Sequence, residues 1–385
     1  MVLKCKCKCK NYEHSLKCRR LHKARVFKHW LINFNMLDSL RVFKHWLLHL
    51  DSRAFFRKGS DYLVKKINQT PFTKKIFDSL NILIFDLFGY KLGVLYHHPP
   101  KEWDPCFRLM ENNIPTQEIK VSIVTPSYKQ GNFLERTIVS VLSQDYPHLE
   151  YIIQDGGSDD CTHDVINKYI NRIDSFSSFS DGGQSNAINL GFKKATGEIM
   201  MWLNSDDLLL PGALNTVVNF FSSHPNVDVL YGNRLLIDEN DMQIGVWVLP
   251  DSHDAEAIQW ADFIPQETLF WRRSAWEKVG SSIDTNFKFA MDWDLLLRFQ
   301  DAQLNIHHIP NFLGAFRIHP QQKSSALINE VGRNEMSVLR KRNFGRIPSD
   351  KEIYDAVTPF LVKHRKAHLK WLFKKQKIRL QELTK

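Results

Sequence analysis

From residue 121 onward, short runs of apolar and β-branched residues alternate with stretches whose apolar positions recur every three or four residues. That rhythm marks strands separated by amphipathic helices. Residues 121–125 read as a strand stopped by Pro126, 133–142 as a helix, and 150–154 as a strand stopped by Asp155-Gly156-Gly157. Helices are predicted near 162–170 and over 184–194, a strand over 198–203, and a further helix beginning at Pro211. The strand 268–271 and the helix 293–299 follow. This alternation predicts an α/β fold over residues 119–325, a mostly parallel sheet flanked by helices. Such sheets bind ligands outside the carboxyl ends of their strands, so the polar residues there carry the functional argument.

The flanks read differently. Residues 61–118 are taken as a helical segment and linker, with Ile76, Leu80, Leu83 and Leu87 at helical spacing and Pro99-Pro100 closing the run. Residues 1–60 contain one repeat, Arg25-Val26-Phe27-Lys28-His29-Trp30-Leu31, which returns from Arg41. Two copies do not build a solenoid, and this part is read as a basic extension prone to disorder. Residues 326–385 are read as a helical, basic C-terminal extension. The formal net charge of +10 divides into +12 over residues 1–60, +8 over 361–385 and −10 between them. Basic ends on an acidic body point to a polyanion or an anionic membrane surface, although solvated tails give the same count. Nucleic acid is not expected, because a groove along it would put positive charge in the middle of the chain.

Composition narrows the classes. At 43% hydrophobic and 24% charged residues, the chain is neither collagenous nor disordered throughout. No window of about 18 uncharged apolar residues occurs, which argues against an integral membrane enzyme. Of six cysteines, four lie among the first 18 residues, and the alternation Cys5, Cys7, Cys9 lacks zinc-site spacing. No apolar stretch follows the basic start, so a cytoplasmic, reducing location is expected, with peripheral contact at the inner face of the membrane.

Three strand ends supply candidate chemistry. In Thr125-Pro126-Ser127-Tyr128 a tyrosine ring becomes available for stacking on a flat base. In Asp155-Gly156-Gly157-Ser158 the glycines allow a tight turn, and Asp155 is placed to accept hydrogen bonds from a base or ribose. The same stretch also reads as a helix-capping loop. Asn204-Ser205-Asp206-Asp207 delivers two adjacent carboxylates, which a fold keeps together most readily around a cation. The alternative is a capped turn before Pro211.

The order of motifs resembles the family 2 glycosyltransferases, whose nucleotide-sugar-binding, Rossmann-like fold is called GT-A. V-S-I-V-T-P-S-Y, D-G-G-S-D-D-C-T, D-G-G-Q-S-N-A-I-N-L-G, A-T-G-E-I-M-M-W-L-N-S-D-D-L and M-D-W-D-L-L-L-R follow one another between residues 121 and 298. The resemblance implies that Thr125, Pro126, Tyr128 and Asp155 meet the nucleotide, with Asp155 at the base. It implies that Asp181, Gln184 and Asn189 approach ribose and sugar. Asn204, Ser205 and Asp206 fall on the family's D-x-D, so the first acid is an amide here, Asp206 becomes the principal ligand of Mn²⁺ or Mg²⁺, and Asp207 supports it. Asp292 falls on the general base, with Met291 in place of the preceding glutamate. His319 resembles a late histidine that closes such sites and serves as a metal ligand, and Gln266 is a candidate acceptor contact.

The activity so implied is a metal-dependent, inverting transfer of one sugar from a nucleoside diphosphate sugar, expected to be UDP-linked, to a glycan or lipid-linked acceptor in polysaccharide biosynthesis. The processive signature Q-x-x-R-W is absent. A nucleotidyltransferase would need a Gly- and Arg-rich loop after the first strand, where this chain has Ser127-Tyr128-Lys129-Gln130-Gly131. The remaining alternative is an inactive scaffold that binds membrane or polyanion through its basic ends.

Overall fold

The computed structural model describes residues 95–104, 107, 115, 117–320, 322–323 and 328–383. The repeat within 1–60 and residues 61–94 of the helix expected to run up to Pro99-Pro100 lie outside the described residues, and the described remainder, 95–100, is not helical. Nine strands join one sheet: β1 Val121–Ser127, β2 Leu149–Asp155, β3 Ser175–Ser178, β4 Ile199–Trp202, β5 Leu208–Leu209, β6 Val229–Ile237, β7 Gln243–Trp247, β8 Phe270–Arg272 and β9 Ile306–Arg317. Their order is β3-β2-β1-β4-β8-β6-β9-β5, with β7 paired to β6. The first half, β3 to β4, is parallel as the alternating pattern predicts. The second half mixes antiparallel pairs around the parallel pair β6 and β9.

Helices α1 Gly131–Leu142, α2 Thr162–Tyr169, α3 Gln184–Phe192, α4 Ala213–Ser223, α5 Ala257–Trp260, α6 Arg273–Lys278, α7 Met291–Asp301, α8 Arg333–Phe344 and α9 Asp350–Leu383 flank this sheet. Apolar strand residues alternate between two cores. Ile123, Tyr151, Ile153 and Met201 pack under α1, α2 and α4, whereas Val124, Ile152, Met200 and Trp202 face α3 and α7. Helix α3 lies close against β1, because a Cβ on Gly191 would collide with the Val124 side chain.

Pro126 does not stop β1. The Val124 carbonyl accepts the Leu203 amide on the β4 side, so by alternation Pro126 faces that side too. The β4 ladder ends at Val124, and no partner is lost where proline lacks its N–H. Helix α4 likewise starts at Ala213, not Pro211, after Gly212 takes a left-handed turn at φ 69°. Strands β3, β5, β6, β7 and β9 have no counterpart in the sequence reading. The C-terminal helix begins at Asp350 and buries Val357, Phe360, His364, Ala367 and the flank of Trp371 along one face.

Candidate active site

The carboxyl ends of β1, β2 and β4, the start of α3 and α7, and the end of β9 surround one cavity of about 760 Å³. Loop 204–207 at its floor is clamped from two sides. Thr137 Oγ1 on α1 donates to the carbonyls of Ser205 and Asp207 at 2.9 and 2.8 Å, and Arg317 Nε on β9 donates to the Asp206 carbonyl at 2.7 Å. Arg317 is fully buried, stacks over Phe133, and bonds the Asp241 carboxylate in the β6–β7 turn.

The two adjacent acids separate in function. The Asp207 carboxylate is buried; its Oδ1 accepts the Arg317 amide at 3.0 Å. Burial, with Asp206 and Glu267 nearby, pushes its carboxyl well above the usual range. Asp206 retains access to the cavity, and its Oδ2 lies 3.1 Å from His319 Nε2, with Phe133 packed on the histidine ring. Asp206 and His319 therefore form a convergent oxygen and nitrogen pair. Among the described residues no cluster of three or more histidine, cysteine or acidic side chains forms a cage. A donor set of this kind fits a hard divalent ion held by few protein ligands and completed by substrate phosphates.

A line of amides crosses the floor. Lys323 Nζ donates to Gln184 Oε1 (2.7 Å), Gln184 Nε2 to Asn204 Oδ1 (2.7 Å), Asn204 Nδ2 to Gln266 Oε1 (3.0 Å) and Gln266 Nε2 to the Trp202 carbonyl (2.7 Å). Burial lowers the Lys323 pKa, with Asp292 and Glu335 opposing the shift. Sequence reasoning found Gln184, Asn204 and Gln266 but missed Lys323, which lies beyond the last motif.

On the β1–β2 side, Pro126, Ser127 and Tyr128 line the cavity, and the tyrosine ring is exposed. A side chain at Gly156 would press on that ring at 3.1 Å and on Asp181 at 3.4 Å, so glycine keeps the slot open. Asp181 Oδ1 accepts the Gly183 amide at 2.9 Å, while its buried Oδ2 has no protein partner among the described residues. Three expected donor contacts stand elsewhere. Thr125 is buried and pairs with the Tyr151 hydroxyl; Asn189 bonds the amide and carbonyl of Ile283; neither reaches the cavity. Asp155 is also outside the lining, and its carboxylate accepts from the amides of Gly157 and Ser158 and the hydroxyls of Ser158 and Ser178. The capping alternative describes this arrangement, because small polar residues after a strand satisfy the carboxylate locally.

Across the cavity, Asp292 sits in the first turn of α7 and its Oδ1 accepts the Trp293 amide. Burial raises its pKa above the usual carboxylate range despite that bond. Asp262, missed in the sequence, lines the same wall; burial and the Asp292 charge push its carboxyl well up. Deeper, Arg234 on β6 makes a bidentate pair with buried Glu267 (2.7 and 2.5 Å), its guanidinium held between Trp247 and Phe316.

The sequence pattern described as glycosyl transferase family 2 matches residues 122–280. An uncharacterised glycosyltransferase of Rickettsia typhi is 29% identical over 219 residues, covering 55% of this chain and 68% of its own length. One from Nostoc is 31% identical over 176 residues, covering 42% of this chain and 53% of the relative. Among solved structures, Staphylococcus aureus TarS 1–349 in complex with UDP-GlcNAc superimposes with a TM-score of 0.51 at 19% identity, covering 64% of this chain and 72% of that one.

Proposed function

On the premise that this chain is a glycosyltransferase carrying a family 2 domain of GT-A fold, we propose that it moves one sugar from a nucleoside diphosphate sugar, UDP-linked by preference, to a glycan or lipid-linked acceptor with inversion. The observation that carries this reading is the placement of Tyr128, Asp206 and Asp292 around one cavity, with His319 behind Asp206 and in contact with its carboxylate. Tyr128 offers a stacking face for the base, and the unpartnered Asp181 Oδ2 faces the ribose and sugar. Asp206 and His319 are the residues that would hold a divalent cation, which would supply positive charge for the leaving diphosphate. Lys323 and the amide line keep Asn204 and Gln184 oriented at the cavity floor.

Asp292 accepts the proton of the acceptor hydroxyl as that oxygen bonds to the anomeric carbon. The bond from that carbon to the diphosphate oxygen breaks on the opposite face, and the nucleoside diphosphate departs. A carboxylate whose pKa is raised by burial is a stronger base for this task than an exposed one. Calorimetric titration of UDP, GDP and TDP into wild type and Asp206→Ala, with and without Mn²⁺, tests the reading. Metal-dependent binding of one nucleotide, lost in the variant, supports it. Absence of binding by every nucleotide overturns it and leaves the basic ends as the functional part.

Helix α9 adds peripheral membrane contact to this proposal. No helix among the described residues is long and apolar enough to cross a membrane. Opposite its buried face, α9 exposes Val362 and Phe373 beside Arg365, Lys366, Lys370 and Lys374. Apolar residues among cations suit the interface of an anionic bilayer. Sedimentation with phosphatidylglycerol vesicles, absent with phosphatidylcholine and lost in Val362→Ser/Phe373→Ser, is the expected result.

A further inference from the structure

The segment before β8 carries no motif, yet the structure fixes it firmly. Trp293 Nε1 donates to the Ile258 carbonyl at 2.7 Å, Arg340 Nε to the Trp260 carbonyl at 2.9 Å and Asn343 Nδ2 to the Gln259 carbonyl at 3.2 Å. The residue these braces deliver to the cavity is Asp262, two positions past α5. Its Oδ1 accepts the Ile264 amide at 3.2 Å, the one hydrogen bond its carboxylate makes among the described residues. A carboxylate held this rigidly, half-buried and facing another, has acceptor capacity that the protein does not fill.

Two of the three lining cations are committed. Arg234 gives both arms to Glu267, and Lys323 gives its ammonium to Gln184 on the donor side. Lys288 is exposed at the rim. Phe289, beside Asp292 in the lining, supplies an apolar face. Two acidic oxygens next to a ring-sized apolar surface are suited to hydroxyl donors on a saturated ring.

Resting on the glycosyltransferase reading of this cavity, we propose that Asp262 is a second acceptor-touching carboxylate, which takes the hydroxyl neighbouring the one that Asp292 deprotonates. The acceptor terminus is therefore an uncharged sugar with adjacent hydroxyls. A phosphate or carboxylate on that sugar meets the negative charge that Asp262 and Asp292 share and is repelled.

The test uses the full chain saturated with UDP and Mn²⁺ and measures binding of p-nitrophenyl hexosides, p-nitrophenyl N-acetylhexosaminides and their 6-phosphates by saturation-transfer NMR. Wild type is expected to bind the neutral glycosides at least tenfold more tightly than the phosphates. Asp262→Asn is expected to weaken neutral binding about tenfold, the scale of one hydrogen bond to a charged group, and to narrow the neutral-to-phosphate gap by a similar factor. Asp262→Glu, which keeps the charge, should keep the gap. Wild type that binds no neutral glycoside or binds the phosphates equally well overturns the proposal, and so does Asp262→Asn that behaves as wild type. Loss of UDP affinity in Asp262→Asn assigns Asp262 to the fold and also overturns it. A wild type without UDP affinity sinks the glycosyltransferase reading instead, a result distinct from all of these.

Discussion

Two carboxylate regions, one outside the cavity lining and one within it, differ in what surrounds their oxygens. Asp155, at the end of β2, is fully buried and accepts from two amides and two hydroxyls within its own loop and β3. Asp262 and Asp292, on the opposite wall, each have one backbone amide and share a desolvated space that raises both pKa values. The first arrangement converts charge into loop rigidity; the second leaves basicity unspent and open to a substrate proton. A buried acid is thus a clamp or a base according to how many donors reach it.

The largest test of that contrast is Asp292→Asn. Turnover should fall about 10³-fold, in the range for removing a general base, with UDP affinity unchanged by calorimetry. In wild type, kcat plotted against pH should fall on the acid side, because the base works only when deprotonated. Its midpoint should lie above the usual carboxylate range, since burial raises the Asp292 pKa; a limb at the ordinary carboxylate value would contradict the assignment. Arg234→Met leaves Glu267 buried without its partner, and urea unfolding should show a loss of about 3–4 kcal/mol. Asp155→Ala should cost about 2 kcal/mol by the same measurement, because four donors lose their acceptor. Reduced turnover at unchanged stability in that variant would erase the distinction between clamp and base. The smallest effect is expected for Tyr128→Ala, whose exposed ring contributes about 1 kcal/mol, a fivefold weaker UDP affinity.

Strands β1, β2 and β4 of the parallel half were legible because they are short apolar runs and the helices between them have clear apolar stripes. Asp206, Gln184 and Asn204 could be placed because each sits within a few residues of a strand end or helix start. The mixed half was not legible. Strand β6 interrupts its apolar run with Gly232, Asn233 and Arg234, and the reason for that arginine, Glu267, is 33 residues away. Strand β3, with the sequence Ser-Phe-Ser-Ser, shows no apolar run at all and pairs through its backbone with β2. Asp262 and Lys323 reach the cavity only through folding of loops that carry no local period. Thr125 and Asn189 illustrate the converse: a motif position near a strand end or helix start need not line the cavity, and the side chain here makes tertiary bonds.

The line from Lys323 to Trp202 has a direction. A lysine ammonium offers only protons and a backbone carbonyl only lone pairs, so with those two ends fixed each amide between them has one permitted orientation: oxygen toward Lys323, nitrogen toward β4. This grammar accounts for an amide rather than an acid at position 204. An aspartate at position 204 has no N–H to pass onward, so Gln266 Oε1 would lose its donor and Asp207 would gain a charged neighbour. Asn204 is thus one word in a sentence that reads correctly from one end only, and restoring the acid at that position would require Gln266 to be rewritten with it.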